Sequence, residues 1–457
     1  MNGVTQVPAN RILLLVMAVL LHGCASTSVF QAYPRQADNW KMALQNGRTE
    51  AALKKLERRS DSADRLLYLQ ERARLEQLTK RYDASLDTFK RVFDLYEQGD
   101  AEARFRVSEA GSGTASLLTN DNAIPYSGFA YERIFAHGFQ ALNYLARGDY
   151  QGAAVEWRRA ALEQRVAEQQ RAALIARAEE RAREEGVDPR RYETHFSGLN
   201  TAASEVKSAI NNAWVFYLSG AFREGRGEYN DARVDYKKAL EMNPDSEMLR
   251  TDVQRVTAKM EGRIQDDRGL VVVSYEQGFV PPRREISIPI PTIHGYFAVA
   301  FPTYDPRDFT TARPLRVHAG GETRTTEALA PVGPMAARAL KERLPAMLVR
   351  QALRASAKYA AQKRAHEQLG PFAAFTTQIY NLVSERADLR SWLTLPAHAQ
   401  ATRLRLPAGE HELELSAPGG GATVSVPVTA GATTFVRAVQ PASELRVAVL
   451  PAQEETR

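Results

Sequence analysis

Residues 214–244 read WVFYLSGAFREGRGEYNDARVDYKKALEMNP. Two short amphipathic runs meet here at Gly225-Arg226-Gly227. The first carries Trp214, Phe216, Tyr217, Gly220 and Phe222. The second opens at Tyr229 and carries Ala232, Tyr236, Ala239 and Leu240. Apolar positions recur at three- and four-residue steps, so each run buries one helical stripe. Pro244 follows the second run, where a residue that cannot continue a helix belongs. Gly220, Ala232 and Ala239 are small at the points where two helices must approach closely. Such a helix-turn-helix unit cannot bury its apolar face alone and needs stacked neighbours.

The pattern Gly220, Gly227, Tyr229, Ala232, Tyr236, Ala239, Pro244 resembles the tetratricopeptide repeat (TPR) in register. Two weaker copies share it. One is Ala141, Gly148, Tyr150, Ala153, Trp157 and Ala160; the other is Ala73, Tyr82, Phe89 and Val92, with Lys80 in place of the turn glycine. A fainter half-copy has Gly47, Ala52 and Leu56. Thr49 to Tyr82 is 33 residues and Tyr82 to Tyr150 is 68, twice the period of about 34. Tyr150 to Tyr229 is 79, so the array is interrupted there.

The chain has 457 residues, 44% hydrophobic and 25% charged, which suits two or three globular domains. Its net charge of +6, from 60 basic and 54 acidic residues, is spread too thinly to argue for nucleic acid. The single cysteine, Cys24, excludes an intrachain disulfide. Arg11 precedes an apolar run from Ile12 to Leu21, then Leu21-His22-Gly23-Cys24. Those 10 apolar residues fall short of the roughly 20 that span a bilayer and suit a secretory signal. The Leu-x-Gly-Cys ending resembles the bacterial lipobox, although His22 departs from its usual small or apolar residue. That resemblance implies acylation of Cys24, and Ala25 after it implies the outer membrane, facing the periplasm.

From Gln151 to Glu185 nothing breaks a helix, so helix B of the second repeat overshoots its neighbours. Gly186 and Asp188-Pro189 end it, and a further helix over about Leu199 to Asn211 is expected to lead back as a hairpin. Ser108 to Gly128 reads as a loop. After Thr257 the composition changes. GLVVVS (269–274), EISIPIP (285–291) and GYFAVAFP (295–302) argue for strands, with prolines confining some to edges. Met335 to Gln368 and Phe372 to Glu385 return to helix, with Pro345 as a kink. Strands resume beyond Trp392, where Pro407-Ala408-Gly409 is expected to turn a hairpin that sets Leu404 and Leu406 against Leu413 and Leu415. This tail resembles the small PEGA-like β-sandwich modules of bacterial surface proteins.

The expected fold is therefore α+β and multidomain: an all-α TPR-like array, a mixed region and a small β-sandwich-like module. The divisions are 1–23 signal peptide, 24–37 tether, and 38–260 repeat domain with a helical hairpin insertion at about 158–211. A Pro-rich β segment (266–330), helices (331–390) and the β-rich module (391–451) follow. The combination of lipobox, repeats, EISIPIP strand and SWLTLP-to-β tail resembles a family of Gram-negative TPR outer-membrane lipoproteins. The family implies an envelope location and association with activators of cell-wall synthases, but no reaction. The expectation is a lipid-anchored, non-enzymatic scaffold for envelope proteins or peptides, including cell-wall synthesis proteins. The alternative is a subunit of a peptidoglycan-processing complex whose site lies in the C-terminal α+β region.

The eight histidines are scattered, with no spacing that suits a metal, and no phosphate-binding loop occurs, so neither metal nor cofactor is expected. Ser204-Glu205-Val206-Lys207 matches Ser-x-x-Lys but lacks the companion motifs of penicillin-binding enzymes. Glu163 with Glu168, and Glu184 with Glu185, read as solubilising rather than catalytic carboxylates. The candidate partner-binding residues lie on the inner face of the repeats. Trp214, Tyr217, Ala221 and Glu224 share one helical face, and Leu67, Gln70, Arg74 and Gln77 are their counterparts in the first clear copy. In the tetratricopeptide pattern these positions line the groove that takes peptides, and aromatics with Arg suit such hot spots. The competing reading is that the long hairpin fills that groove. The lipobox generates a direct test: Cys24→Ser should release the protein from the membrane fraction, and wild type should incorporate labelled palmitate. Absence of label in wild type rules the anchor out.

Overall fold

The computed structural model describes residues 31–108, 122, 124–264, 267–292, 295–369 and 386–451. Cys24, most of the 108–128 loop and the helix expected over Phe372 to Glu385 lie outside the described residues. The protein is a mixture of helices and sheets, helical over the described residues up to Met260 and strand-rich toward its C-terminus. Among the described residues ten α-helices come first: α1 Tyr33–Gln45, α2 Thr49–Glu57, α3 Arg65–Leu78, α4 Tyr82–Ser108, α5 Ala130–Ala146, α6 Tyr150–Glu184, α7 Ser197–Ser204, α8 Ala213–Glu224, α9 Tyr229–Met242 and α10 Glu247–Met260. Helices α3/α4, α5/α6 and α8/α9 pack as consecutive pairs.

Each pair turns on one residue in the left-handed region: Lys80 (φ +61°), Gly148 (+71°) and Gly227 (+73°). That conformation closes the end of the preceding helix, and glycine adopts it without a Cβ clash. Lys80 occupies it as a non-glycine residue, at the position where the repeat pattern lacks its glycine. Tyr82, Tyr150 and Tyr229 each open the helix two residues later. Gly220 is fixed by packing rather than by backbone angle. A Cβ there would lie 2.8 Å from the Tyr236 ring, so only glycine lets α8 and α9 meet this closely. Asn212 caps α8 through Val215 N (3.1 Å), and Asp149 caps α6 through Gly152 N (2.7 Å).

Helix α6 runs unbroken for 35 residues, as its composition requires. The expected returning arm is different. A 3-10 helix at Pro189–Phe196 and the eight-residue α7 stand in place of a helix to Asn211. The outer half of α6 packs on α11 (Val332–Leu369) instead, through an Arg171–Glu342 ion pair at 2.6 Å.

The strands are β1 Arg268–Gln277, β2 Arg284–Thr292, β3 Gly295–Thr303, β4 Arg316–Ala319, β5 Glu322–Thr325, β6 Glu327–Pro331, β7 His398–Pro407, β8 Gly409–Ala417, β9 Gly420–Val428, β10 Thr433–Gln440 and β11 Arg446–Val449. They form a five-stranded sheet (β11-β10-β1-β7-β6), a four-stranded sheet (β5-β4-β8-β9) and the two-stranded ribbon β2-β3. Confinement of Pro289 and Pro291 to that ribbon fits their missing N–H groups. Strand β1 alternates with period two. Val271, Val273 and Tyr275 join an apolar cluster with Leu413, Leu415, Val426 and Val428 of the four-stranded sheet, whereas Leu270 and Val272 join the helical core.

The expected hairpin at Pro407-Ala408-Gly409 is a corner between sheets. Strand β7 pairs with β1 and β6, and β8 pairs with β4 and β9. Leu404, Leu406, Leu413 and Leu415 do meet, but across the interior of the two sheets. Gly409 takes φ +138° to make the corner.

A single apolar core joins residues of α1 through α10 to β1, β2, β3, β7, β10, α11 and the 392–395 segment. The compositional switch between Thr257 and Gly269 is thus a change of secondary structure within one shared core, where separable units were expected. Trp214, Tyr217 and Leu67 are fully buried, and Trp214 bonds to Ser274 of β1. A chain ending at Gly262 should therefore bind the dye ANS and lose cooperative melting. A fragment that melts sharply near the full-length temperature would show that the helices stand alone.

Candidate functional site

Every residue expected to line an open groove is buried: Trp214 and Tyr217 at 0% exposure, Gln70 at 0%, Arg74, Gln77 and Glu224 at 1%. Trp214, Arg74 and Gln77 meet the five-stranded sheet, and Arg74 also meets Thr394 O, whereas Gln70 donates to Tyr96 of α4 and Glu224 is enclosed by α9 and α10. The Trp214 indole donates to Ser274 Oγ on β1 (3.1 Å) and stacks on Phe135 of α5 at 5.7 Å between ring centroids. Phe139 lies edge-on to both Trp214 and Trp392 at 5.9 Å each. Thr433 Oγ1 of β10 donates to Ala221 O (2.8 Å), and a Cβ on Gly225 would lie 2.6 Å from Thr433 N. Helix α8 therefore ends directly against the sheet.

Charge is paired across the same surface. Arg74 on α3 pairs with Glu276 on β1, and Arg437 on β10 reaches the same carboxylate at 2.7 Å. Gln77 accepts from Arg74 (2.6 Å) and Arg437 (3.1 Å), and donates to Phe139 O and Asn143 Oδ1 (2.7 Å each). Burial alone would raise the Glu276 pKa, but Arg437 and Arg74 outweigh it and hold the carboxyl below its usual value. Burial pulls Arg74 down to about 10 despite Glu276, so both partners remain ionised near neutrality.

Two further links follow the same plan. Glu224 receives Arg255 through two hydrogen bonds (2.9 and 2.7 Å), Lys259 (3.1 Å) and Tyr236 (2.8 Å). Burial opposes its charge, yet Arg255 and Lys259 bring its pKa to about 2. Asp252 pairs with Arg255 and with Arg403 of β7. On the far side Asp64 pairs with Arg390 (2.5 Å), while the backbone N–H groups of Trp392 and Leu393 donate to Glu132 (3.0 Å) and Glu71 (2.8 Å). Burial outweighs the Thr394, Leu393 and Tyr33 hydrogen bonds at Glu71 and raises its pKa.

The repeat-pattern residues serve packing. Ala153, Trp157, Ala232, Tyr236, Ala239 and Phe89 are buried in the shared core. Pro244 ends the α9 segment two residues beyond Met242. Ser204 and Lys207 are exposed, and Ser204 Oγ donates to Thr201 O (2.7 Å) in a local turn. Among the described residues no cluster of His, Cys, Asp or Glu could hold a metal ion, and no helix is long and apolar enough to cross a membrane.

Two open features escaped the sequence reading. The larger is a cleft of about 720 Å³ between the outer half of α6, the 3-10 helix and α11. Ile175, Val187, Leu344 and Pro345 are apolar there, among Glu179, Arg183, Arg190, Glu193, Lys341 and Glu342. Leu174, 59% exposed, stands one residue from its wall. The only sequence signal was the thin apolar face of α6. The smaller cleft, about 320 Å³, lies beside Phe129. No family model matches the chain, and no curated protein or solved structure is significantly similar to it.

Truncation separates covered residues from open ones. Trp214→Ala should cost about 3–5 kcal/mol through the cavity it leaves. Glu276→Ala should cost a similar amount, about 3–5 kcal/mol, because two buried arginines lose their counter-charge. Leu174→Ala should change stability by less than about 0.5 kcal/mol. Urea titration measures all three, and an unaltered midpoint for Trp214→Ala would mean that the sheet does not cover this surface.

Proposed function

We propose that the chain is a lipid-anchored, non-enzymatic adaptor of the cell envelope. In this reading α3/α4, α5/α6 and α8/α9 are TPR-like repeats, and the two larger sheets are a small β-sandwich docked into their concave face. The repeat reading rests on the left-handed residues 80, 148 and 227, on the tyrosines two residues beyond each, and on the close contact at Gly220. The envelope location rests on the Leu21-His22-Gly23-Cys24 ending.

The observation that carries the adaptor reading is the 720 Å³ cleft at α6 and α11. With the concave face occupied by the chain's own sheet, partner binding moves to this cleft and to the projecting half of α6. Its apolar floor and mixed-charge rim suit a protein segment, because apolar contact supplies affinity and charge supplies register. A photo-crosslinking amino acid at position 174 or 187 should give a defined adduct in intact cells. The same amino acid at position 217 should give only an internal crosslink to the sheet. Adducts from position 217 and none from 174 or 187 would reverse the assignment.

A further inference from the structure

The smaller cleft is bounded by the segment Ile124–Phe129, by Arg283 just before β2, by α11 and by the stretch around Arg390. Among the described residues its charged lining is Arg283, Arg343, Arg350, Arg390 and Asp388, and Arg350 and Arg390 have partners beyond this lining. Arg390 is already matched, by Asp388 (2.9 Å) and Asp64 (2.5 Å). Arg283 and Arg343 are different. Both lie against the Phe129 ring, with guanidinium carbons 4.5 and 3.7 Å from its centroid. Neither forms an ion pair with a described residue. Arg283 is 4% exposed, and its Nε and Nη2 are buried with no hydrogen-bond acceptor among the described residues.

Glu132, behind Phe129, favours the charge of Arg343 from a distance but forms no ion pair with either arginine. Its oxygens accept from Tyr126 (2.7 Å), Phe129 N (3.2 Å) and Trp392 N (3.0 Å). Elsewhere the protein pairs its buried arginines with carboxylates, as at Arg74, Arg255 and Arg390. An unmatched buried guanidinium beside a second cation is costly, since burial disfavours charge and like charges repel. Desolvation, and then the charge of Arg283, lower the Arg343 pKa, whereas at Arg283 desolvation is outweighed by the hydroxyls of Tyr304, Tyr126 and Tyr131 and the Asp388 carboxylate, which raise its pKa.

We propose that this cleft binds a phosphate group, whose charge compensates Arg283 and Arg343 together. A phosphate carries up to two negative charges and accepts at several oxygens, which suits guanidinium groups arriving from different elements. A carboxylate offers one charge and two oxygens and would leave one arginine unmatched. Leu340 and Met347 on the same wall accommodate an apolar body attached to the phosphate. This assignment is independent of the adaptor reading, which rests on the other cleft.

The test uses the full chain, titrated with inorganic phosphate by calorimetry, beside melting curves in phosphate and in chloride of equal ionic strength. Phosphate stabilises many proteins by exclusion from their surfaces, so the comparison with Arg343→Gln decides. Arg343 is exposed enough to change without unfolding the chain. Wild type should bind phosphate, and Arg343→Gln should weaken binding by about tenfold to a hundredfold. Arg343→Lys should retain part of the affinity. Equal heats or equal melting shifts in wild type and Arg343→Gln would overturn the site. So would equal binding of acetate, which would make it a carboxylate site. Vesicles of phosphatidylglycerol distinguish the sources. Binding that Arg343→Gln abolishes assigns the phosphate to a lipid headgroup, and phosphate binding without vesicle binding assigns it to a soluble ester.

Discussion

A carboxylate sits near the C-terminal end of the central strand, on the face that meets the helices. Glu276 of β1 is buried, and a bare charge there would be untenable in so dry a place. Its partners come from two directions, Arg74 from α3 and Arg437 from the neighbouring strand β10. Because the guanidinium fork is directional, the contact permits few relative positions of helix and sheet. The driving force lies elsewhere, in apolar burial worth about 1.5–3 kcal/mol for each large side chain. Trp214, Trp392, Phe135 and Phe139 supply such area, and apolar area is tolerant of sliding. The ion pairs select one position from those that burial alone would allow. The links at Asp252–Arg403 and Asp64–Arg390 repeat the device at other points of the same surface.

The local architecture was legible in the sequence because its signals are local. Left-handed turns, small residues at helix crossings and the unbroken run of α6 all lie within about one turn or one hairpin of the residues they govern. Even the missing glycine was readable, and Lys80 takes the glycine's conformation. The covering of the inner face was not readable. Arg74 and Glu276 are 202 residues apart, and nothing in the neighbourhood of either names the other. Gln70, Arg74 and Gln77 look the same in sequence whether they await a peptide or hold a strand. The β7-β8 corner failed for a related reason. Period-two leucines mark a buried face, and they do so equally for a hairpin and for two strands facing each other across a sandwich. The returning arm after α6 was overread, since Leu199 to Asn211 has helical composition but α7 stops at Ser204.

The filled inner face changes what the helical pairs can be for. A stacked array with an open groove spends its inner surface on partners; the helical pairs here spend that surface on their own chain. In the proposed adaptor reading the C-terminal strands would act as an internal ligand of the helices, and recognition would fall to surfaces elsewhere. That fits the length of α6, which leaves Leu162, Val166 and, on its outer half, Leu174 exposed at 54%, 38% and 59%. A helix end with no core to serve is useful where it walls a cleft, which it does with α11.

The proposed anchor would set the distance at which such recognition takes place. Tyr33 is already part of the folded body, buried and donating to Glu71 at 2.9 Å. Only residues 25–32 separate it from Cys24. Eight residues, however extended, reach no more than about 30 Å. An acylated Cys24 would therefore hold the start of α1 within that distance of the bilayer, whatever the path of the intervening chain. A partner of the cleft at α6 and α11 would have to be met close to the membrane surface. A soluble partner captured deep in the periplasm would need a tether several times longer, because end-to-end reach grows only as the square root of length for a flexible chain. With that anchor, the short tether, the closed core and the projecting helix would fit one another as parts of a membrane-proximal platform.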